Sequence, residues 1–226
     1  MSEPKILFPK LLYPKILYED NHLIVLSKPA GLLSQGEKTG DHNLVDWLRA
    51  YLKRNYVGLV HRLDRNTSGL MVIAKRTKSA QRLTTSLQEG KILRHYLGWA
   101  VGTLSKPTRW THQLEKDERT NLVKVVQSGG KEAILMALPR AHGLWEQTPL
   151  TLIEFKLETG RSHQIRVQAA AEGLALLGDT KYGKSKSSFP RTALHSHYLV
   201  FPHPMTEEDM QFEDPLPLDM SEIKHS

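Results

Sequence analysis

Short apolar runs bounded by turn residues alternate irregularly along this chain with stretches whose apolar positions recur every three or four residues. His22 to Leu26 carries the β-branched pair Ile24 and Val25 and stops at Lys28-Pro29-Ala30-Gly31, which predicts a buried strand entering a turn. A loop through Gly36 and Gly40 follows. Asn43 can cap a helix whose Leu44, Trp47, Leu48 and Leu52 share one face, with Arg49, Lys53 and Arg54 on others. Val57 to Val60 reads as a strand-like run and Leu70 to Ala74 as a compact strand. Lys78 to Glu89 returns to helical spacing through Ala80, Leu83 and Leu87, and Gly90 ends it. Tyr96 to Val101 and Leu150 to Leu157 predict further strands, and between them no period is readable. Ser162 is placed to cap a helix through Ile165, Val167, Ala169 and Ala170 to Gly173, and Leu194 to Phe201 predicts a last strand before Pro202 and Pro204.

Pro9 and Pro14 punctuate the opening, so residues 1–15 are expected to be an extended arm. Residues 205–226 are acidic and contain prolines, which predicts a surface tail. Between them no repeat and no Gly-rich linker marks a boundary. Residues 16–204 are therefore expected to form one mixed α+β domain.

Charge narrows the partners. The 226 residues carry a formal net charge of +7, with a pI near 9.5. Arg49 to Lys131 holds 17 Lys and Arg against 5 Asp and Glu, so the basic surface belongs to the body of the protein. Such a balance makes a polyanion the first partner to consider, although charge runs are usually solvated faces. With no cysteine there can be no disulfide, thiolate metal site or cysteine nucleophile. No stretch approaches about 20 apolar residues, and Met1-Ser2-Glu3-Pro4-Lys5 lacks a secretory apolar run, so a cytoplasmic protein off the membrane is expected.

The candidate chemistry lies where the run Val57 to Val60 enters His61-Arg62-Leu63-Asp64-Arg65-Asn66-Thr67-Ser68-Gly69 and the next strand begins at once. An acid held between two buried elements needs a cation and donors. Arg62, Arg65, the hydroxyls of Thr67 and Ser68 and the amides of a turn permitted by Gly69 are all close in sequence. Standing alone, the segment reads first as a turn capped by an aspartate that Thr and Ser hold. Protein kinases place Asp directly after His-Arg, whereas here Leu63 intervenes and no Asp-Phe-Gly segment accompanies it. Aspartyl phosphatases would want a second acid where Asn66 stands, and no zinc-ligand spacing is present.

His61 to Gly69 resembles the signature loop of the RluA-type pseudouridine synthases. Three further segments resemble motifs of that family in the same order. They are Lys28-Pro29-Ala30-Gly31-Leu32, Gly160-Arg161-Ser162-His163-Gln164-Ile165-Arg166-Val167 and Gly178-Asp179-Thr180-Lys181-Tyr182-Gly183. The resemblance implies a pseudouridine synthase catalytic fold, with a mixed, mostly antiparallel central sheet, flanking helices and a basic active-site cleft. It implies an enzyme that isomerises a specific uridine of structured RNA without metal, nucleotide or other cofactor, ribosomal RNA being favoured over transfer RNA.

By the same resemblance Asp64 is the catalytic carboxylate, Arg166 its ion-pair partner and Tyr96 the aromatic against the target base. Attack on the sugar, attack on the base and proton abstraction at the ribose all remain open for Asp64. Arg62 would fill the space left by a flipped nucleotide or meet its phosphate, and Ile165 would pack in the uracil pocket. Arg65, Arg161 and Thr67 are expected on the substrate, while His163, His195 and the turn from Asp179 support the pocket. From residue types alone Arg166 reads as an exposed helix arginine and Tyr96 as a core strand residue. Lys28 reads as structural.

Gln168 stands where relatives often carry histidine, and Ser196 where a small apolar residue is usual. The match begins by about Ile16, leaving no room for the small N-terminal RNA-binding domain of many relatives. A monomer is therefore expected to grip RNA through Arg65, Arg76, Lys78, Arg82, Lys91 and Arg94. Two other readings compete. A non-catalytic RNA-binding or ribosome-assembly protein would use the basic body without the Asp64 constellation, and a carboxylate hydrolase would need a second placed acid.

Overall fold

The computed structural model describes residues 9, 12–37, 40–183 and 187–225. Most of the expected N-terminal arm thus lies outside the described residues. In chain order the elements are β1 (Lys15–Glu19), β2 (Leu23–Lys28), α1 (Leu44–Leu52), β3 (Gly58–Leu59), β4 (Ser68–Ala74) and α2 (Thr77–Gln88). There follow β5 (Leu93–Val101), β6 (Thr108–Asp117), β7 (Leu122–Val126), β8 (Lys131–Trp145), β9 (Thr148–Leu157) and α3 (Gln164–Ala171). Last come β10 (Leu194–Pro202), β11 (Asp209–Glu213), α4 (Leu218–Ser221) and β12 (Lys224–His225).

The strands form a single sheet in the order β1-β2-β4-β10-β5-β9-β8-β6-β7, with β3 added to β4, β11 to β10 and β12 to β8. Among the described strands β4 and β10 are the pair that runs parallel, through Ser68 with His195 and Gly69 with Ser196. This is the mixed, mostly antiparallel α+β architecture that the motifs imply.

Strand periodicity sorts two cores onto the two faces of the sheet. Ile24 and Leu26 of β2 and Met71 and Ile73 of β4 point into one, together with Leu44 and Leu48 of α1 and Ile165 and Ala169 of α3. Leu23, Val25, Leu70, Val72 and Ala74 point into the other, with Leu83 of α2. Because β4 is covered on both faces, all seven of its residues are buried, and that is why it reads as an unbroken apolar run. Asn43 caps α1 as expected, its side chain accepting from Asp46 N at 3.1 Å.

Three expectations need correction. Ser162 does not cap α3: the helix starts at Gln164 after His163, whose φ is 52°, and Gln164 itself turns back so that its Oε1 accepts from Arg161 N at 2.9 Å. The unreadable stretch between Val101 and Leu150 is the meander β6, β7 and β8, half of whose positions face solvent. Finally, β10 is not the last strand and residues 205–226 are not a surface tail. β11 pairs along β10, Met220 and Ile223 are buried beside Trp99, and Arg191 grips Asp219 at 2.6 Å. The acidic residues there hid the few apolar anchors that dock the segment. No helix among the described residues is long and apolar enough to cross a membrane.

Candidate active site

Asp64 sits in the tight link from β3 to β4, and the link is fixed from three sides. Thr67 N donates to Asp64 O at 3.1 Å and Gly31 N to Arg65 O at 2.8 Å. Ser34 Oγ donates to Leu63 O at 2.6 Å. Lys28, fully buried at the end of β2, donates its ammonium to the carbonyls of Pro29, Leu32 and Arg65 at 3.0, 2.8 and 3.2 Å. All three of its hydrogens are thereby engaged, leaving none for phosphate, so the structural reading of Lys28 holds. Burial draws its pKa down to about 7, with Asp64 acting against that shift.

At the far end of the link Gly69 meets β10. Its φ is +108°, and a Cβ there would lie 2.2 Å from Ser196 O, so backbone meets backbone where only glycine fits. Ser68, expected beside Asp64, instead bonds His195 Nδ1 at 2.9 Å. His61 accepts from Val72 N at 3.2 Å. Burial, seconded by Arg94, holds its pKa near 3, so it is a neutral structural histidine.

The sheet and α3 bring Arg166 to this loop. Its Nη1 donates to Asp64 Oδ2 at 2.8 Å. Nε and Nη2 of the same guanidinium donate to Asp179 at 2.7 and 2.9 Å. Arg166 is therefore a half-sunken bridge between two carboxylates and not an exposed helix arginine. Burial disfavours its charge, but Asp179 and then Asp64 outweigh that and raise its pKa. Burial likewise pushes Asp179 upward, and Arg166 with the amides of Lys181 and Tyr182 overcomes it and leaves the pKa low. The Tyr182 ring lies under the guanidinium, 5.1 Å from centroid to Cζ.

One cleft is lined by Arg62, Asp64, Thr67, Tyr96, Arg161, Ile165 and Arg166, with Leu63, Leu157, His163, Gln164 and Leu194. Seven of the eight residues expected at the site thus converge. The eighth, Arg65, points outward, bonded to Gly31 O and to Asp41 at 2.9 Å. Tyr96 and Ile165 are both buried members of the first core as well as cleft walls, so for them the core and pocket readings coincide. Burial keeps the Tyr96 hydroxyl protonated by raising its pKa.

Residues that the motifs did not single out also shape the cleft. Arg191 spans Asp219 and the carbonyls of Asn66 and Leu194, tying the link that carries Asp64 to the C-terminal segment. A lone arginine among prolines and serines gave no signal of this.

The basic residues proposed to grip RNA are largely placed elsewhere. α2, with Lys78 and Arg82, covers the second core, on the other face of the sheet from Tyr96 and Ile165. Arg82 bonds Pro204 O at 2.6 Å, Lys75 pairs with Glu19, Lys91 with Glu89, and Arg94 is buried. A groove of about 430 Å³ instead adjoins the cleft and shares Arg161 with it. Lys116, Lys131, Gly129, Gly130 and Ser162 line it, as do Glu115 and Glu118.

One further polar cluster stands out among the described residues. His95, Glu154 and His197 bring possible ligand atoms within 4.8 Å of one another. It lies on the other side of β5 from Tyr96, and Arg140 already occupies Glu154 through Nε at 2.7 Å. Lys156 adds a second cation at 4.0 Å.

Comparison with known proteins follows the same line. Residues 22–171 match the RNA pseudouridylate synthase family. An uncharacterized RNA pseudouridine synthase of Bacillus subtilis, YlyB, is 36% identical over 217 residues, which cover 91% of this chain and 70% of that protein. Ribosomal large subunit pseudouridine synthase D of Vibrio cholerae is 34% identical over 224 residues, covering 91% of this chain and 68% of the relative. The solved structure of human RNA pseudouridylate synthase domain containing 1 superposes with a TM-score of 0.81 at 22% identity, over 98% of this chain and 92% of that one. That last likeness speaks for the fold.

Proposed function

Because the chain belongs to the RNA pseudouridylate synthase family and is an RNA pseudouridine synthase, we propose that Asp64 is its catalytic carboxylate and that its target is a uridine of large-subunit ribosomal RNA. The observation that carries the first part is the 2.8 Å contact between Arg166 and Asp64 in a cleft floored by Tyr96 and Ile165. A guanidinium so placed stabilises negative charge on the carboxylate while leaving Asp64 Oδ1 facing the cleft. The name of the Vibrio cholerae relative supports the second part.

In the reaction the bond from C1′ to N1 of uracil breaks, the base turns, and C1′ bonds to C5. The hydrogen on C5 leaves as a proton and N1 gains one, so composition and oxidation state are unchanged. No redox cofactor and no nucleotide is required, and the proposed chemistry uses no metal. A carboxylate beside the glycosidic bond serves each route by which the bond can break.

The target nucleotide must leave its stack to reach Asp64. Unstacking costs a few kcal/mol, and stacking one base on an aromatic ring returns about 1 to 3 kcal/mol, a balance that supports Tyr96 in the base-facing role. Arg62, exposed at the mouth, fills the vacated space or meets the flanking phosphate, Ile165 packs against uracil, and Arg161 and Thr67 complete the wall. Flanking RNA runs along the groove past Lys116 and Lys131. The proposed form is a monomer, and an RNA target with a cysteine-free chain fits work in the cytoplasm.

A non-catalytic RNA-binding role would not require the paired Asp64 and Arg166, and the enzyme reading stands above it. Pseudouridine mapping of ribosomal and transfer RNA from cells with and without the gene tests the target. Loss of one or a few sites in large-subunit RNA is expected, and loss confined to transfer RNA would overturn the assignment.

A further inference from the structure

His163 is held in the cleft by contacts that favour one of its two tautomers. Its Nδ1 lies 2.6 Å from the Tyr182 hydroxyl, and the same oxygen accepts from Val123 N at 3.1 Å. The phenol's own hydrogen has Nδ1 as the one acceptor found for it among the described residues. The arrangement that satisfies both groups has Nδ1 accepting that hydrogen, with the proton of a neutral imidazole on Nε2. The charged and titratable groups around the ring are Asp64, Arg166, Lys181, Asp179 and Tyr182. Burial lowers its pKa from 6.5, Arg166 and Lys181 act the same way, and Asp64 and Asp179 oppose them.

The Nε2 hydrogen has no hydrogen-bond acceptor among the described residues. Asp64 Oδ1 is 3.9 Å away, beyond hydrogen-bond length, and His163 lines the cleft together with Tyr96 and Ile165. At φ 52° and ψ 19° His163 occupies the left-handed region, as do five other residues besides glycine among those described.

We propose that His163 is a substrate-binding residue whose Nε2–H donates to an acceptor oxygen of the target nucleotide, a uracil carbonyl or a ribose oxygen, seated beside Asp64. This rests on the isomerase reading above and adds a hydrogen-bond donor to it. In this role the ring is not a proton acceptor, because its free lone pair is already turned to Tyr182.

The test uses the full chain and tritium release from RNA labelled at uracil C5, read as kcat and KM. His163→Gly removes the ring at a positive φ that glycine tolerates, so the fold is expected to persist with an unchanged melting temperature. Its kcat/KM should fall about 10-fold, the effect of losing one hydrogen bond and leaving its acceptor unsatisfied. His163→Gln can present an amide N–H near the place of Nε2 and should recover most of that loss. His163→Asn also tolerates positive φ but reaches only the place of Nδ1, so it should be as slow as the glycine variant. Wild-type rates in His163→Gly, or equal rates in the Gln and Asn variants, would overturn the donor role. A wild type that releases no tritium from any cellular RNA pool would overturn the isomerase reading itself, which keeps the two failures apart.

Discussion

Arg166, 102 residues further along the chain, donates to Asp64 at 2.8 Å. Asp179, whose side chain is only 1% exposed, holds the other edge of the same guanidinium. Two acids thus share one base, and removing that base leaves two uncompensated charges. Arg166→Met is expected to destabilise the protein by roughly 3 to 5 kcal/mol as well as abolish activity. Arg166→Lys keeps the charge, but a compact ammonium cannot present the planar fork that spans both carboxylates. It should recover part of the stability and little of the activity, read by urea unfolding beside tritium release.

Tyr96 is 5% exposed and belongs to the first core while walling the cleft. Replacement by leucine should weaken RNA binding at fixed salt by about 1 to 3 kcal/mol, the worth of one base stacked on an aromatic ring. Tyr96→Phe keeps the ring and should bind within a few-fold of wild type. Equal affinities for the Leu and Phe variants would remove Tyr96 from the base-facing role.

Gly69 joins the catalytic link to β10 at φ +108° with Ser196 O in the way of any Cβ. Gly69→Ala is expected to prevent accumulation of folded protein or to lower the melting temperature sharply, because backbone on both sides must move. A melting curve like that of wild type would contradict the tight junction of β4 with β10.

Acid should weaken the fold well above the carboxylate range. Burial depresses His61 from 6.5 to about 3, and burial, against the pull of Asp214, depresses His195 to about 4. Below pH 6.5 the unfolded chain takes up protons at these positions and the folded chain does not. Their contribution is therefore complete above about pH 6.5 and is lost as pH falls from there toward 4. Asp179, lowered from 3.8, adds its loss only below that range. Urea midpoints should decline from pH 7 to pH 5, and His61→Gln, whose carbonyl can accept from Val72 N, should flatten part of the slope. A midpoint flat over that interval would show that both rings titrate normally.

Much of this was readable where local and global demands agree. β4 is buried on both faces and so reads as one apolar run, while α1 has a side-chain cap at Asn43 and an apolar stripe. The four ordered segments around Lys28, Asp64, Arg166 and Asp179 mark the site because each makes a contact within it. Linear sequence could not show on which face of the sheet a basic helix lies. The cluster on α2 looked suited to RNA yet covers the core remote from the cleft. Nor could charge reveal that acidic residues after Pro204 flank the buried anchors Met220 and Ile223. His163 escaped a sharper role because the residues that hold it, Tyr182 and through it Val123, are distant in sequence.

The central claim is that the Asp64 carboxylate performs the isomerisation. It is tested most directly by tritium release from large-subunit ribosomal RNA transcripts labelled at uracil C5, comparing wild type with Asp64→Asn at equal folded concentration. Asparagine preserves the shape while removing the charge, so the wild type should release tritium in proportion to modified sites and Asp64→Asn none above background. Release by Asp64→Asn at the wild-type rate would contradict the account.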